Sequence, residues 1–223
     1  MSRHTVKTKM VCEVVGSGVL GEIHYIHAVN GFEINDPGNV RLRRETGGGA
    51  LFDMGCYCVN FVDLIMEVAG ATLTAANAHF ITRGDVDVRC SANLAYSNGT
   101  FCSIATWFDS QPMASAEIVG KKGVLTIPFP FTDEELPMTL RHYDFAADPA
   151  CRGKEIMVID PDYIRLEEIR PGLSDRYRLE VEEMSRAILE KRQPSFRVES
   201  SLRNMELIER LYGSADKWPE NGR

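Results

Sequence analysis

The sequence predicts an α+β domain: one open, mostly antiparallel sheet of about six to eight strands with helices packed on one face. Two observations carry this. Apolar residues recur at helical spacing near both ends of the chain and once before its middle, whereas the stretch between alternates with a period of two. The strand-like runs also follow one another directly, without the strict strand–helix alternation of a parallel sheet.

Val6, Met10, Val11, Val14 and Val15 share one helical face, and Gly16-Ser17-Gly18 supplies residues that end a helix. Ile23, Tyr25, Ile26 and Val29 predict a strand within Gly21 to Phe32, and polar Asn30 to Thr46, with Asp36-Pro37-Gly38 as a turn, predicts a long loop. Gly47-Gly48-Gly49 then leads into a helix over Ala50 to Val68, with Leu51, Met54, Cys58, Phe61, Val62 and Ile65 near one stripe and Gly70 closing it.

Beyond it, Val86, Val88, Cys90, Ala92, Leu94 and Tyr96 alternate with Asp87, Arg89, Ser91 and Asn93, which predicts a strand with the second set turned outward. Asn98-Gly99 predicts a tight hairpin into Thr100 to Phe108. Further strands are expected over Leu73 to Ile81, Ser115 to Val119, Val124 to Ile127, Met138 to Tyr143, Glu155 to Ile159 and Tyr163 to Glu168. Tyr177 to Glu190 and Ser200 to Tyr212 return to helical spacing before a polar tail, Ala215 to Arg223.

The 223 residues, 44% of them apolar, suit a single domain over 1–223. A net charge of -7 and Lys/Arg runs no longer than Arg43-Arg44 or Lys121-Lys122 argue against nucleic acid as a partner. The reading finds no apolar span of about 18 residues. Met1 to Lys9 is polar and basic, so no membrane partner and a cytoplasmic location are expected. Cys12, Cys56, Cys58, Cys90, Cys102 and Cys151 form no CxxC pair, which suits reduced, buried thiols better than disulfides or zinc.

The most site-like segment is Gly47 to Tyr57. A helix start exposes unpaired N–H groups and partial positive charge, and glycines let a hydroxyl or an anion come close to the backbone, which makes Gly48 and Gly49 candidate binding positions. Asp53 and Tyr57, four residues apart, share a helix face. A phenol there can relay a proton when a cation lowers its pKa, with Asp53 orienting it or accepting from a sugar hydroxyl. Arg41, Arg43 and Arg44 are the nearest cations in sequence. The plainer reading makes the glycines a crowded helix start, Asp53 a backbone cap and Tyr57 a half-buried aromatic.

Other candidates weigh less. His24 and His27, three apart on a strand, are expected on opposite faces, poor geometry for a shared metal, and no metal is expected. Cys56 and Cys58 point apart on a helix and read as packing. Trp107, Phe108, Phe129 and Phe131 read as lining either a pocket or, the preferred reading, a sheet face that pairs with another subunit.

Glu45-Thr46-Gly47-Gly48-Gly49-Ala50-Leu51-Phe52-Asp53-Met54-Gly55-Cys56-Tyr57 closely resembles the GGGxLxDxGCY signature of the Gfo/Idh/MocA oxidoreductases, in the branch of dihydrodiol and xylose dehydrogenases. Gly18 to Ile23 is similar to that family's SGxLGEI segment, and Glu117 to Gly123 to its xIxGxxG hairpin; Tyr177 to Glu180 and Asn204 to Ala215 resemble its closing helices. The resemblance implies an α+β domain whose Asp and His-or-Tyr line a sugar site and whose open sheet forms a dimer contact. It also implies, elsewhere in such proteins, a Rossmann domain for NAD(P) and a catalytic lysine.

Only the second part of that architecture is matched. Gly16-Ser17-Gly18-Val19-Leu20-Gly21 spells GxGxxG but precedes a strand instead of following one, so it reads as a chance match. The expectation is therefore a substrate-binding and dimerisation domain with Tyr57 and Asp53 as catalytic candidates and Gly48, Gly49, Arg41 and Arg44 as substrate-binding candidates. Alone it is expected to bind no cofactor, NAD(P) entering only with a separate Rossmann partner. The partners expected are a second copy, or a higher oligomer, through the open sheet and a small sugar-like ligand. Two other readings are a cofactor-free lyase or isomerase using Tyr57 and Asp53, and a non-catalytic dimeric interaction module.

Overall fold

The computed structural model describes residues 2–132, 136–143, 164–172 and 175–214. A helix, α1 (Val6–Gly16), precedes strand β1 (Ile23–Gly31), and a loop with two short 3-10 turns, Val40–Leu42 and Arg44–Thr46, leads to the central helix. That helix opens with a π-helical turn, Leu51–Gly55, and continues as α2 (Cys56–Val68). Seven strands follow: β2 (Leu73–Arg83), β3 (Val86–Tyr96), β4 (Phe101–Trp107), β5 (Met113–Gly120), β6 (Gly123–Pro128), β7 (Met138–Tyr143) and β8 (Ile164–Ile169). Helices α3 (Arg176–Leu189) and α4 (Val198–Gly213) complete the described chain.

The expected open sheet is present, with eight strands in the order β2-β3-β4-β1-β5-β6-β7-β8. All neighbours are antiparallel except β1 and β4, which run parallel because α2, β2 and β3 intervene between them in the chain. The strand expected over Glu155 to Ile159, Cys151 and the tail Ala215 to Arg223 lie outside the described residues.

Register explains the two faces. Ala78, Ala92, Ile104, Ala28, Ala116 and Ile127 are paired across six strands, and every one is buried. Leu51, Cys58, Val59, Val62, Ile65 and Met66 of the central helix join them in one core with Leu207, Ile208 and Leu211 of α4. One residue along each strand, the row Asn77, Asn93, Ser103, His27, Glu117 and Thr126 is polar. Small residues under the helices let them seat closely, and polar ones opposite leave that face open. Tyr25 and His27 both hydrogen-bond the Ser103 hydroxyl on the open face, the His27 Nδ1 at 2.9 Å.

Several expectations need correction. Asp87, placed outward by the alternation, is buried at 5% exposure, because the glycine-rich segment and α4 close over the start of β3. Phe108 and Phe131 are core residues rather than interface aromatics. Phe108 packs with Ile34 and Ala50, and Phe131 against Phe61 and Tyr57. The segment Arg44–Val68 is apolar and long enough to cross a membrane by composition, contrary to the expectation of no such span. It is the core helix of this fold, its apolar stripe covered by the sheet. The hairpin at Asn98-Gly99 has a three-residue loop, Ser97 to Gly99, with the Tyr96 amide donating to the Thr100 carbonyl (3.0 Å) and only Gly99 left-handed. Gly16 to Gly21 is the turn from α1 into β1, as its place before a strand suggested.

Candidate substrate site

The glycine-rich segment spends its own donors. The amides of Gly47, Gly48 and Gly49 donate to the carbonyls of Arg44, Arg43 and Arg41 at 3.0, 2.9 and 3.0 Å, so these donors, expected to be open to a ligand, are committed within the chain. The Leu51 amide donates to the buried carboxylate of Asp87 (2.7 Å), which also accepts from the Tyr212 hydroxyl (2.8 Å). Asp87, not Asp53, is the acid at this helix start.

This packing gives two of the glycines a steric reason. A Cβ on Gly48 would overlap the carbonyl oxygens of Arg41 and Arg43. Gly49 has φ 120°, and a Cβ there would collide with Asp87 Oδ1 and crowd the Tyr212 hydroxyl. Burial pushes the Asp87 carboxyl above its ordinary range, although the Leu51 amide and the Tyr212 hydroxyl pull it down. The Tyr212 phenol is pushed up by burial and by Asp87.

One turn further the situation reverses. Asp53 accepts from Arg41 Nε at 2.7 Å, and its other oxygen has no hydrogen bond among the described residues. Arg41 thus meets Asp53 as a cation partner, while Arg44 is exposed in the 3-10 turn Arg44–Thr46. Asp53 and Tyr57 do not bond each other, and the Tyr57 hydroxyl makes no hydrogen bond among the described residues. Burial, then Cys56 and Asp53, raise the Tyr57 phenol pKa; Arg176 from α3 opposes them without prevailing. The condition set for proton relay, a phenol lowered by a nearby cation, is thus not met, and the raised phenol is suited to donate a hydrogen bond to a ligand oxygen.

Tyr57 and its neighbour Cys56 line a cavity of about 230 Å³ with Ser2, Arg3, Asn60, Phe196 and Asn204. Its walls come from the chain start, α2 and the beginning of α4. The Tyr57 ring is steadied from behind by Phe131 (centroids 6.0 Å apart), whose carbonyl accepts from Arg176 Nη1 at 2.9 Å. A larger groove of about 560 Å³ lies between α2, α4 and β2, lined by Tyr96, Leu207, Asp63 and Arg203. Its Asp63 and Glu67 pair with Arg203, and its Arg210 reaches the Thr74 carbonyl, so the smaller cavity, which holds a phenol with no hydrogen bond among the described residues, is the better candidate. Cys56 is not a nucleophile here: burial and Asp53 push its thiol up to about 11, and Cys58 is fully enclosed.

Asp87, Tyr212, Arg3, Asn204 and Arg176 escape the sequence reading because no local spacing links them to the glycine signature. Asp87 itself stood in the sequence as one of the alternating polar residues of its strand, a position that the alternation rule assigned to solvent.

Gly16 to Gly21 joins a helix to a strand, the reverse of the order that a dinucleotide-binding turn has.

A family model for the GFO/IDH/MocA C-terminal domain matches residues 8–126. The chain is 32% identical over 109 residues to trans-1,2-dihydrobenzene-1,2-diol dehydrogenase of Xenopus tropicalis, a match that spans 49% of this chain and 32% of that protein. It is 26% identical over 218 residues to D-xylose 1-dehydrogenase (NADP(+)) 2 of Haloferax volcanii, covering 97% of this chain and 61% of the relative. The chain thus spans less than two thirds of these relatives.

In structure it resembles aldose-aldose oxidoreductase from Caulobacter crescentus, with a TM-score of 0.76 and 22% identity over 96% of this chain and 59% of that one. A 3-ketoreductase from Actinomadura kijaniata in complex with NADP and TDP-benzene gives 0.75 and 21%, over 96% and 61%. These likenesses show the fold. Since the matched region exceeds half of the sequence, the chain belongs to the GFO/IDH/MocA C-terminal domain family.

Proposed function

We propose that this chain is the substrate-binding part of an NAD(P)-dependent sugar or polyol oxidoreductase, with Tyr57 donating a hydrogen bond to the reacting oxygen and the Asp53–Arg41 pair shaping the rim of the site. One observation carries it: a half-buried phenol with no hydrogen-bond partner among the described residues, its pKa raised by burial, opens on a small cavity at the glycine-signature helix. The family membership, and relatives named as dehydrogenases, support the substrate class. In this reading the nicotinamide is held by a nucleotide-binding domain beside this one, and the open sheet face, where Phe101 and Met113 are exposed, pairs with a second copy.

Ligand-observed NMR with a panel of neutral sugars and cyclic diols tests the proposal. Saturable binding that weakens in Tyr57→Phe and in Asp53→Asn is the expected result; a folded chain that binds none of them overturns it. Sedimentation at micromolar concentration checks the pairing, for which a monomer is the contrary outcome.

A further inference from the structure

We propose that Asn30, Thr106 and Asp87, one buried polar side chain from each of three adjacent strands, are positioning residues that clamp the π-helical turn Leu51–Gly55 and so set the direction in which Tyr57 leaves the central helix. The role of Tyr57 toward a ligand rests on the proposed function, to which the clamp adds the residues that aim it.

The side of the sheet under the helices is where polar residues need a reason to be. One inward step along from the buried row Ala92, Ile104 and Ala28 lie Cys90, Thr106 and Asn30, aligned across β3, β4 and β1 and all buried. Asp87 joins them through a β-bulge. Arg89 pairs with Ile81 but Asp87 with Thr82, so β3 holds one extra residue, Val88, and both Asp87 and Val88 are buried. Bulges re-aim side chains in this way, which gives the inward turn of Asp87 a backbone cause.

All three side chains reach the same turn. Thr106 Oγ1 donates to the Ala50 carbonyl at 3.1 Å, Asn30 Nδ2 reaches the Met54 carbonyl at 3.4 Å, and Asp87 accepts from the Leu51 amide at 2.7 Å. Gly55 lets the turn sit down on β4, since a Cβ there would meet Leu51 Cδ1 at 2.7 Å and Thr106 Cγ2 at 3.3 Å. In a regular α-helix only the first-turn amide would call for a cap, and the carbonyls of Ala50 and Met54 would be served by amides four residues on. Burying polar side chains under a helix is unfavourable unless they are matched, and here the match is to the backbone of a turn wider than α.

The consequence falls beyond the turn. A π-turn inserts one residue into the helical count, and each residue of an α-helix advances by about 100°, so the side chains after Gly55 are rotated by about that much relative to those before Leu51. Asp53, within the turn, meets Arg41, whereas Tyr57, just past it, lies against Phe131 and lines the cavity. Relaxing the turn to α swings the phenol about the helix axis, a displacement that a directional hydrogen bond to a ligand oxygen does not tolerate.

Fluorine NMR of the whole chain labelled with 3-fluorotyrosine reads the surroundings of Tyr57, whose resonance is the one lost in Tyr57→Phe. Calorimetric titration with D-xylose reads the ligand, and thermal melts accompany each variant. Thr106→Val, close to threonine in shape, is expected to shift the Tyr57 resonance and to weaken D-xylose by about tenfold, the loss of one well-placed hydrogen bond. Thr106→Ser, which keeps the hydroxyl, is expected to recover both. Asp87→Ala is expected to shift the same resonance, and Asp87→Asn, which keeps an acceptor, to shift it less. Ile65→Val, buried in the same helix, is expected to lower the melting temperature and move neither readout. Asn30→Val takes the place of Thr106→Val if the latter does not fold.

An unmoved Tyr57 resonance in folded Thr106→Val overturns the clamp and leaves the proposed function standing. An equal shift in Ile65→Val overturns it as well, because the effect is then one of stability alone. If the resonance shifts in Thr106→Val and not in Ile65→Val while wild type binds no D-xylose, the clamp stands and the result counts against the proposed function.

Discussion

The entry to the central helix and the helix itself treat hydrogen bonding in opposite ways. From Gly47 to Leu51, four of the backbone donors are consumed inside the fold, and the one buried carboxylate that reaches this segment, Asp87, has two partners. From Cys56 to Asn60, polar side chains line a cavity, and the Tyr57 hydroxyl there makes no hydrogen bond among the described residues. The comparison teaches that the glycines of the signature are there for backbone contact with the preceding loop, Asp87 and Tyr212. In the proposed function, recognition falls instead to the side chains that come after them. A structural part satisfies its polar groups, and a binding part leaves some unsatisfied toward solvent.

The largest expected effect breaks the first part. Gly48→Ala, which drives a methyl into two backbone carbonyls, is expected to lower stability by roughly 2–3 kcal/mol in urea unfolding. Gly49→Ala is expected to do the same through φ 120° and Asp87. A loss below about 0.5 kcal/mol would show that the loop yields easily and that the steric account is wrong.

Two tyrosines sharpen the comparison next. Tyr212→Phe deletes a donor to a buried carboxylate and is expected to cost about 2 kcal/mol. Tyr57→Phe deletes a hydroxyl without a protein partner and is expected to change stability by less than about 0.5 kcal/mol while weakening ligand binding. Equal melting shifts for the two would erase the distinction.

A pH series probes the same carboxylate. Because burial raises the Asp87 pKa in the folded chain, the folded state keeps a proton that the unfolded chain releases above its ordinary value of 3.8. The contribution of this group to stability is therefore present below 3.8 and declines as pH rises through the raised folded value. Melting temperatures of wild type minus Asp87→Asn, followed upward from pH 3.8, are expected to fall and then level. A flat difference would place the Asp87 pKa at its ordinary value. The smallest effect concerns Cys56, whose thiol at about 11 is expected to alkylate with iodoacetamide at pH 8 far more slowly than a peptide thiol.

Much of the fold was legible because it depends on periodicity. The alternation from Val86 to Tyr96 and the stripe from Leu51 to Ile65 read directly as the β3 strand and the central helix, and Asp53 and Tyr57 were found on that helix. Less legible was what each candidate does. Asp53 looked like an aid to Tyr57 and proved to hold Arg41; the cation that acts on Tyr57 is Arg176, more than a hundred residues away in the chain. Local spacing carries no information about partners brought together by distant segments, and the burial of Asp87 has no local signature.

The sequence by itself determined the α+β class, the order of helices and strands, and the glycine-led helix that marks the family, since each follows from residue periodicity and backbone preference within short windows. Only the tertiary structure decided which donors of that helix are spent and which are free. That balance is set by desolvation and by contacts from α1, β3, α3 and α4, and these exist only once the helices close over one face of the sheet.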